Sequence, residues 1–446
     1  DASGHVTAMA DPMQSGWSKE YDENGHLTRI ADAGGVSAVA YAYDDLGRLL
    51  SIGVGGEEQV RFEYDENDAF ATRPRRMIYP DYEVVGETNG LNMVTGLVWR
   101  TASSVLARVD FELDHMDRVI RETGPDGAST SYGYDALGRL VAVTNANGGV
   151  NRIRYGRNGQ PVEWIDPRGH SVRYAYDSAA RVREIIGRRG DVLSYEYRPD
   201  GNVVRSIDPR GQMRRIAYDL LAQATQIQYY ASTAAPTSHA ALAQYYDPAG
   251  HVERTTWNGT EYRAQWDAWS RVTNDVLVVK SVSLTNRFEY AANGLYERRI
   301  EPDGTELSYV YDAGNRLSGV ILPGFGEMSI VPYGSGDAPQ EIRFPGGVSA
   351  HYRYDPLGRL LRLVVTDPGG TAVFDEEYVY SASGRMAERH GLTSSCWYQY
   401  DPMGQLTCVS NEAGVVEQYS YDANGNRTGA LGTAEPIAYG TNDELL

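Results

Sequence analysis

A chain of 446 residues is long enough for two or three ordinary domains or for one large repetitive one. Its formal net charge of −19 excludes a general nucleic-acid binder, which needs a basic stripe to neutralise phosphates. No stretch approaches the roughly eighteen consecutive apolar residues of a membrane-spanning helix, and the opening DASGHVTAMADP lacks the basic-then-apolar order of a signal peptide. Tyrosine outnumbers phenylalanine 33 to 7, and 48 glycines accompany it. A dry core favours Phe, because every buried Tyr hydroxyl needs a partner, so this composition predicts many short, often-turned strands with a partly wet face. Lys19 and Lys280 are the sole lysines among 41 basic residues. Arginine forks onto carboxylates and stacks on aromatic rings, which lysine does not do.

Along the chain, Tyr-Asp dipeptides act as a ruler. Tyr21, Tyr43, Tyr64, Tyr134, Tyr176, Tyr218, Tyr246, Tyr311, Tyr354, Tyr400 and Tyr421 all precede Asp. Worn copies stand at Leu113, Tyr155, Tyr197, Trp266, Tyr290, Tyr333 and Tyr380, and Thr88–Val94 overlays Tyr134–Leu140. From Leu113 to Tyr218 the steps are 21, 21, 21, 21 and 21, and elsewhere they run from 20 to 28. A phase held through five intervals is the mark of a repeat architecture.

One unit, Gly138 to Gly159, reads GRLVAVTNANGGVNRIRYGRNG. A β-prone run, Arg139–Thr144, meets a turn, and a second run, Val150–Tyr155, meets Gly-Arg-Asn-Gly. Each unit is therefore a hairpin that continues into the next hairpin. Pairs such as Tyr132/Tyr134, Tyr174/Tyr176, Tyr195/Tyr197 and Tyr352/Tyr354 are two apart, so both rings share a strand face. Stacked in register, the units are expected to align tyrosines in cross-strand rows. Arg48, Arg139 and Arg359, which follow the turn glycine, are placed to stack or pair nearby. About twenty units make roughly forty strands, a ribbon roughly 190 Å long and about 20–25 Å tall that must twist and curl.

The longest step contains ASTAAPTSHAALAQ, residues 231–244, read as an inserted loop or short helix; a smaller insertion lies near Asp367–Glu377. Neither breaks the period, so residues 1–446 read as a single repeat region. His5, His26, His170 and His251 follow the turn glycine in the arginine slot, and repeat position explains them without a metal. His115, His239, His351 and His390 show no zinc-site spacing. Asp22-Glu-Asn-Gly25 and Asp422-Ala-Asn-Gly425 are similar to part of a calcium loop but lack its further acidic ligands, and Asp, Asn and Gly are also turn residues. Cys396 and Cys408 flank the turn Asp401–Gly404 one residue off register, which disfavours a bridge and predicts reduced thiols. No catalytic, cofactor or metal residue is assigned. The residues singled out are repeat anchors: Tyr21, Tyr43, Tyr64, Tyr134, Tyr155, Tyr176, Tyr197, Tyr218, Tyr246, Tyr311, Tyr354, Tyr400 and Tyr421.

The unit Tyr-Asp-x-x-Gly-Arg-Leu, followed after a turn by a φ-x-Tyr-x-Tyr-Asp strand, resembles the Rhs/YD-repeat family. YDDLGRLLSI (Tyr43–Ile52), YDALGRLVAV (Tyr134–Val143), YDPLGRLLRL (Tyr354–Leu363) and YDANGNRTG (Tyr421–Gly429) carry the likeness, which covers essentially the whole chain. The family includes bacterial Rhs polymorphic toxins, C components of insecticidal toxin complexes and, more distantly, teneurins. The resemblance implies an all-β fold, a continuous antiparallel sheet of stacked hairpins spiralling into a hollow shell or part of one. It implies a structural, non-enzymatic role: enclosing a C-terminal toxic effector of the same polyprotein, made in the bacterial cytoplasm and then secreted or delivered to a target cell. Implied partners are that toxin domain, the remaining shell repeats and a plug or secretion-apparatus component, with no nucleic acid and no membrane span. The family's core segment, with its later Asp-Pro-x-Gly cleavage site, has no match here, and Asp-Pro-Arg-Gly at 166–169 and 208–211 reads as a repeat turn, so no self-cleavage role is carried over. Both ends cut through a repeat, and the chain is expected to be an internal shell portion. The rival reading is an extracellular adhesion module binding carbohydrate or protein through its aromatic rows. An enzyme ranks last, for want of any non-repeating cluster.

Overall fold

The computed structural model describes residues 7–10, 16–32, 38–65, 73–291, 293–312, 315–333, 338–431, 437–441 and 443. His5 and both chain ends lie outside them. The described residues form 39 strands and no helix. Strands pair antiparallel with their chain neighbours: Leu140–Thr144 with Val150–Tyr155, Val150–Tyr155 with Pro161–Ile165, and so on through the repeats. The all-β hairpin architecture read from the period is what the chain adopts.

Turn chemistry accounts for the local folding. In Asp177–Arg181, the Asp177 N–H donates to the Arg181 carbonyl (2.9 Å) and the Ala180 N–H donates to the Asp177 carbonyl (3.0 Å). The Asp177 carboxylate also accepts the Ala179 and Arg181 N–H groups at 2.9 and 3.0 Å, which holds the turn from inside. The fourth turn position is left-handed, normally a glycine such as Gly169 (φ 86°), but Ala180 occupies it with φ 66°. A Cβ is strained there. Ala180→Gly is therefore expected to stabilise the protein by about 0.5–1 kcal/mol, seen as a raised thermal midpoint.

A second local feature was not anticipated from the sequence. Where each Tyr-Asp strand meets the next, the register slips by one residue: Ala175 faces Glu184, but Tyr176 faces Val182. The same slip recurs at Tyr134, Tyr155, Tyr197, Tyr218, Tyr246, Tyr354 and Tyr421. A bulge bends its strand and increases the local right-handed twist, so a bulge repeated once per unit bends the sheet repeatedly in one sense.

The expected rows of tyrosines are corrected by the register. Across the strand, Tyr132 faces Val143, Tyr174 faces Ile185, Tyr195 faces Ser206 and Tyr352 faces Leu363. The strand that follows carries an aliphatic opposite Tyr132, Tyr174 and Tyr352 and a serine opposite Tyr195, so at these positions no ring faces a ring. Tyrosines meet along a strand instead, as Tyr195 and Tyr197 do with centroids 6.3 Å apart. The opposite face carries charge, with pairs such as Arg29–Glu20 (2.8 Å), Arg154–Glu163 (2.8 Å) and Arg205–Glu196. These pairs are substantially exposed and each contributes little to stability.

The inserted segment at 231–244 is shorter than the sequence suggests. The link between strands Ala224–Tyr230 and Ala240–Tyr246 is residues 231–239, while 240–244 belong to the second strand. The insertion near Asp367–Glu377 lengthens a hairpin, Leu360–Thr366 with Ala372–Tyr380.

The chain divides into two compact units, one of residues 1–129, 288–399 and 409–415, the other of 130–287, 400–408 and 416–446. Burial is thin in both. Ten hydrophobic side chains among the described residues are at or below 9 % exposure, among them Val84 and Val98 in the first unit and Met213 and Ala264 in the second. A sheet with no second layer packed on it leaves most side chains half-covered.

Candidate functional site

The repeating tile is the first candidate, because its polar groups are tied together in one pattern. Tyr155 donates its hydroxyl to the Leu140 carbonyl (2.8 Å), Tyr176 to Pro161 (2.6 Å), Tyr197 to Val182 (2.6 Å), Tyr218 to Val203 (2.8 Å) and Tyr421 to Leu406 (2.6 Å). Tyr43, Tyr64 and Tyr246 do the same to Leu27, Leu49 and Ala224. Trp266 supplies its indole N–H to the Val252 carbonyl at 3.1 Å, so the slot selects a donor on a large ring rather than tyrosine itself. Tyr21, Tyr134 and Tyr400 end the strands Gly16–Tyr21, Ser129–Tyr134 and Ser395–Tyr400. Tyr311 and Tyr354 end Glu306–Tyr311 and Ser349–Tyr354.

The arginine slot joins one tile to the next. Arg139 donates Nε to Asp135 (2.7 Å) and lays its guanidinium over the Tyr155 ring at 4.6 Å; Arg48 and Arg181 repeat this with Asp44 and Tyr64, and with Asp177 and Tyr197. Histidine fills the same slot: His26 meets Asp22 (2.9 Å) and stacks on Tyr43, and His251 meets Asp247 (2.8 Å) and stacks on Trp266. Asp22 and Asp422 each use one carboxylate oxygen on two backbone N–H groups, so their Asp-x-Asn-Gly stretches are turns. Both cysteines are free thiols, and Arg389 donates to the Cys396 sulfur at 3.5 Å. Among the described residues no group of three or more His, Cys, Asp or Glu is placed to hold a metal ion.

Removing the hydroxyl alone, as in Tyr197→Phe, forfeits one hydrogen bond while leaving the ring for Arg181. We expect about 1 kcal/mol of local destabilisation, read as about fivefold faster amide exchange in Val182–Ile186.

The second candidate is a set of contacts between turns far apart in sequence. In the first unit, Arg385 donates to Asp126 at 2.7 Å across 259 residues. In the second unit, Asn147 donates to Asp401 (2.8 Å) across 254 residues and Asn424 donates to Asp166 (2.8 Å) across 258. Arg168, 21 residues after Asn147, lies 3.4 Å from Asp422, which is 21 residues after Asp401. Two stretches of this unit thus run turn against turn with one shared period.

Asp166 is the most buried side chain of the set, at 1 % exposure. One oxygen accepts the His170 N–H (2.9 Å), and the other accepts Asn424 and Arg188 at 2.8 and 3.0 Å. Arg188 also pairs with Asp443, and Arg168 reaches Asp443 (3.1 Å) and the Tyr439 carbonyl (3.1 Å). Burial opposes ionisation of Asp443, but hydrogen bonds from Arg188, Asn426 and Asn424 outweigh it and hold its pKa at about 2. Nothing in the one-dimensional pattern singles out Asn147, Asp401 or Asn424. The available signal is that both series of turns step by 21, so facing turns stay in phase.

A bulged hairpin tile bound through a ring donor, a turn carboxylate and a bridging arginine defines a repeat scaffold. The family model "RHS Repeat" matches residues 21–57 and 114–150, each starting at a Tyr-Asp or Leu-Asp turn. These two stretches carry the Rhs repeat, and the likeness to that family rests on them. It is 25 % identical over 364 residues to the double-stranded DNA deaminase toxin A of Burkholderia cenocepacia (strain H111), covering 72 % of this chain and 25 % of that protein. Its fold matches the crystal structure of TcdB2-TccC3 without the hypervariable C-terminal region, with a TM-score of 0.68, 13 % identity, and coverage of 97 % of this chain and 27 % of that one. A Tc holotoxin pore from Photorhabdus luminescens matches with a TM-score of 0.51, 12 % identity, and coverage of 99 % and 34 %. The chain spans about a quarter of the length of the first two relatives.

Proposed function

We propose that this chain is a segment of the encapsulating wall of a secreted bacterial toxin, enclosing a C-terminal toxic effector of the same polypeptide until delivery. The observation that carries the reading is a one-layer, two-faced sheet whose turns meet again 254 to 259 residues along the chain. That offset is about twelve units, and about 24 strands at ~4.8 Å make a path of roughly 115 Å. Toxin names among the relatives support the context, and the deaminase activity in one name is that protein's own. In this role the tyrosine anchors and bridging arginines hold the wall together and perform no chemistry. Synthesis in the cytoplasm, export and contact with further shell repeats belong to the same reading.

Electron microscopy of the purified chain tests the wall, with a curved wall around low density expected. A filled, side-chain-packed rod sinks the reading. On the full gene product, protease treatment is expected to leave the effector intact until the wall is opened. Cleavage of effector and wall at equal rates counts against enclosure.

A further inference from the structure

A cavity of about 810 Å³ in the first unit is lined in part by one tile, through its anchor Tyr354 and its turn Asp355–Gly358. Tyr79, Tyr82, Tyr352 and Tyr354 line it, together with Gln59 and Gln340. Tyr79 and Tyr82 bracket the turn Tyr79-Pro80-Asp81-Tyr82, closed by the Tyr79 N–H on the Tyr82 carbonyl (2.8 Å), and their rings stack at 4.6 Å and 12°. The Tyr352 and Tyr354 rings lie 6.3 Å apart and 9° from parallel. The lining thus holds two pairs of rings, each pair nearly parallel within itself.

Several tyrosines before Asp spend their hydroxyl on a carbonyl fifteen residues back, as Tyr176 does on Pro161 and Tyr218 on Val203. Tyr354 makes no such bond, and the Tyr79, Tyr82 and Tyr352 hydroxyls likewise have no hydrogen-bond partner among the described residues. Burial, then the neighbouring ring, pushes the Tyr82 and Tyr354 hydroxyls above their ordinary value, so both remain proton donors near neutrality. The charged groups are committed: Asp355 accepts Arg359 at 2.6 Å, and Arg353 faces Glu377 at 3.5 Å. What the cavity offers is aromatic surface, four hydroxyls and two amides, beside the Asp81 and Asp355 carboxylates.

We propose that this cavity binds an extended, proline-containing segment of a partner polypeptide. A polyproline II strand has no internal hydrogen bonds, so its carbonyls are free to accept from the tyrosine hydroxyls and glutamine amides, while its rings pack against the tyrosine rings. The proposal is independent of what the wall encloses.

The test is fluorescence anisotropy of the whole chain with a fluorescein-labelled, end-capped nonaproline peptide, beside a glycine-serine peptide of equal length and a labelled cello-oligosaccharide. Saturable binding of the proline peptide alone is expected. Tyr79→Ala and Tyr352→Ala are each expected to weaken it at least about tenfold, and Tyr79→Phe, which keeps the ring and removes the donor, about threefold. Tyr174→Ala, outside the cavity, leaves affinity unchanged, and thermal midpoints of all variants separate misfolding from lost contacts. Absence of proline-peptide binding overturns the proposal. Equal binding of the glycine-serine peptide, a preference for the oligosaccharide, or full affinity in folded Tyr79→Ala and Tyr352→Ala also overturns it.

Discussion

Replacing Asp166 with alanine is expected to destabilise the second unit by about 3 kcal/mol, several times the effect of the same change at Asp208. The two residues sit in near-identical turns, Asp166-Pro-Arg-Gly and Asp208-Pro-Arg-Gly, and both use a carboxylate oxygen on backbone N–H groups. Asp166 differs in being fully buried and in holding Arg188 and Asn424 with its second oxygen. Its removal strips the half-buried Arg188 of one carboxylate and leaves the Asn424 amide without that acceptor. Asp208→Ala forfeits only the turn bonds, about 1 kcal/mol. Hydrogen exchange separates the cases: Asp166→Ala accelerates exchange at both 166–170 and 422–426, and Asp208→Ala acts only at its own turn. Equal effects of the two substitutions would falsify the assignment of Asp166 as the link between these stretches.

Acid is expected to dismantle the tiles collectively. Asp114 is held at about 2, first by the Arg118 side chain and then by backbone N–H groups, against a burial effect that raises it. The pKa of Asp135 is lowered by Arg139, of Asp177 by the Arg181 backbone and side chain, and of Asp247 by His251, while Asp443 stands at about 2. A carboxyl whose folded pKa lies below its ordinary value of 3.8 stabilises the fold above that value, and the contribution is lost as pH falls through the folded pKa. The thermal midpoint is therefore expected to change little from pH 7 to about 5 and to fall steeply between pH ~4 and ~2. Asp114→Asn keeps an oxygen for the turn but loses the ion pair. Its midpoint should lie below the parent's at pH 7 and converge on it near pH 2. A constant gap across that range would show that the Asp114–Arg118 pair is not the titrating contact.

Much of this was legible in the residues. The 21-residue step from Leu113 to Tyr218 marks the hairpin unit, and the Gly-Arg dipeptides mark the slot where Arg139 and Arg181 bridge carboxylate and ring. The register slip at Tyr176 was hidden because a bulge changes pairing without changing residue types. The absence of a ring opposite Tyr132, Tyr174, Tyr195 and Tyr352 follows from the aliphatics and the serine that the paired strands place there. Asn147 and Asp401 lie 254 residues apart, and single turn residues of ordinary type give no hint of a distant partner. The cavity beside Tyr354 was equally silent, since its lining joins residues 59–82 and 338–358, which no spacing in the sequence pairs.

In the second unit, both facing rows of turns advance by the same 21 residues, as the teeth of two racks with one pitch do. Deleting or duplicating a whole tile slides one rack by one tooth, after which every turn again meets a turn. Losing half a tile sets turns against strands. Such a mesh tolerates length change only in whole units, so growth by tandem copying of the tile is an open route for this wall and gradual insertion within a strand is not.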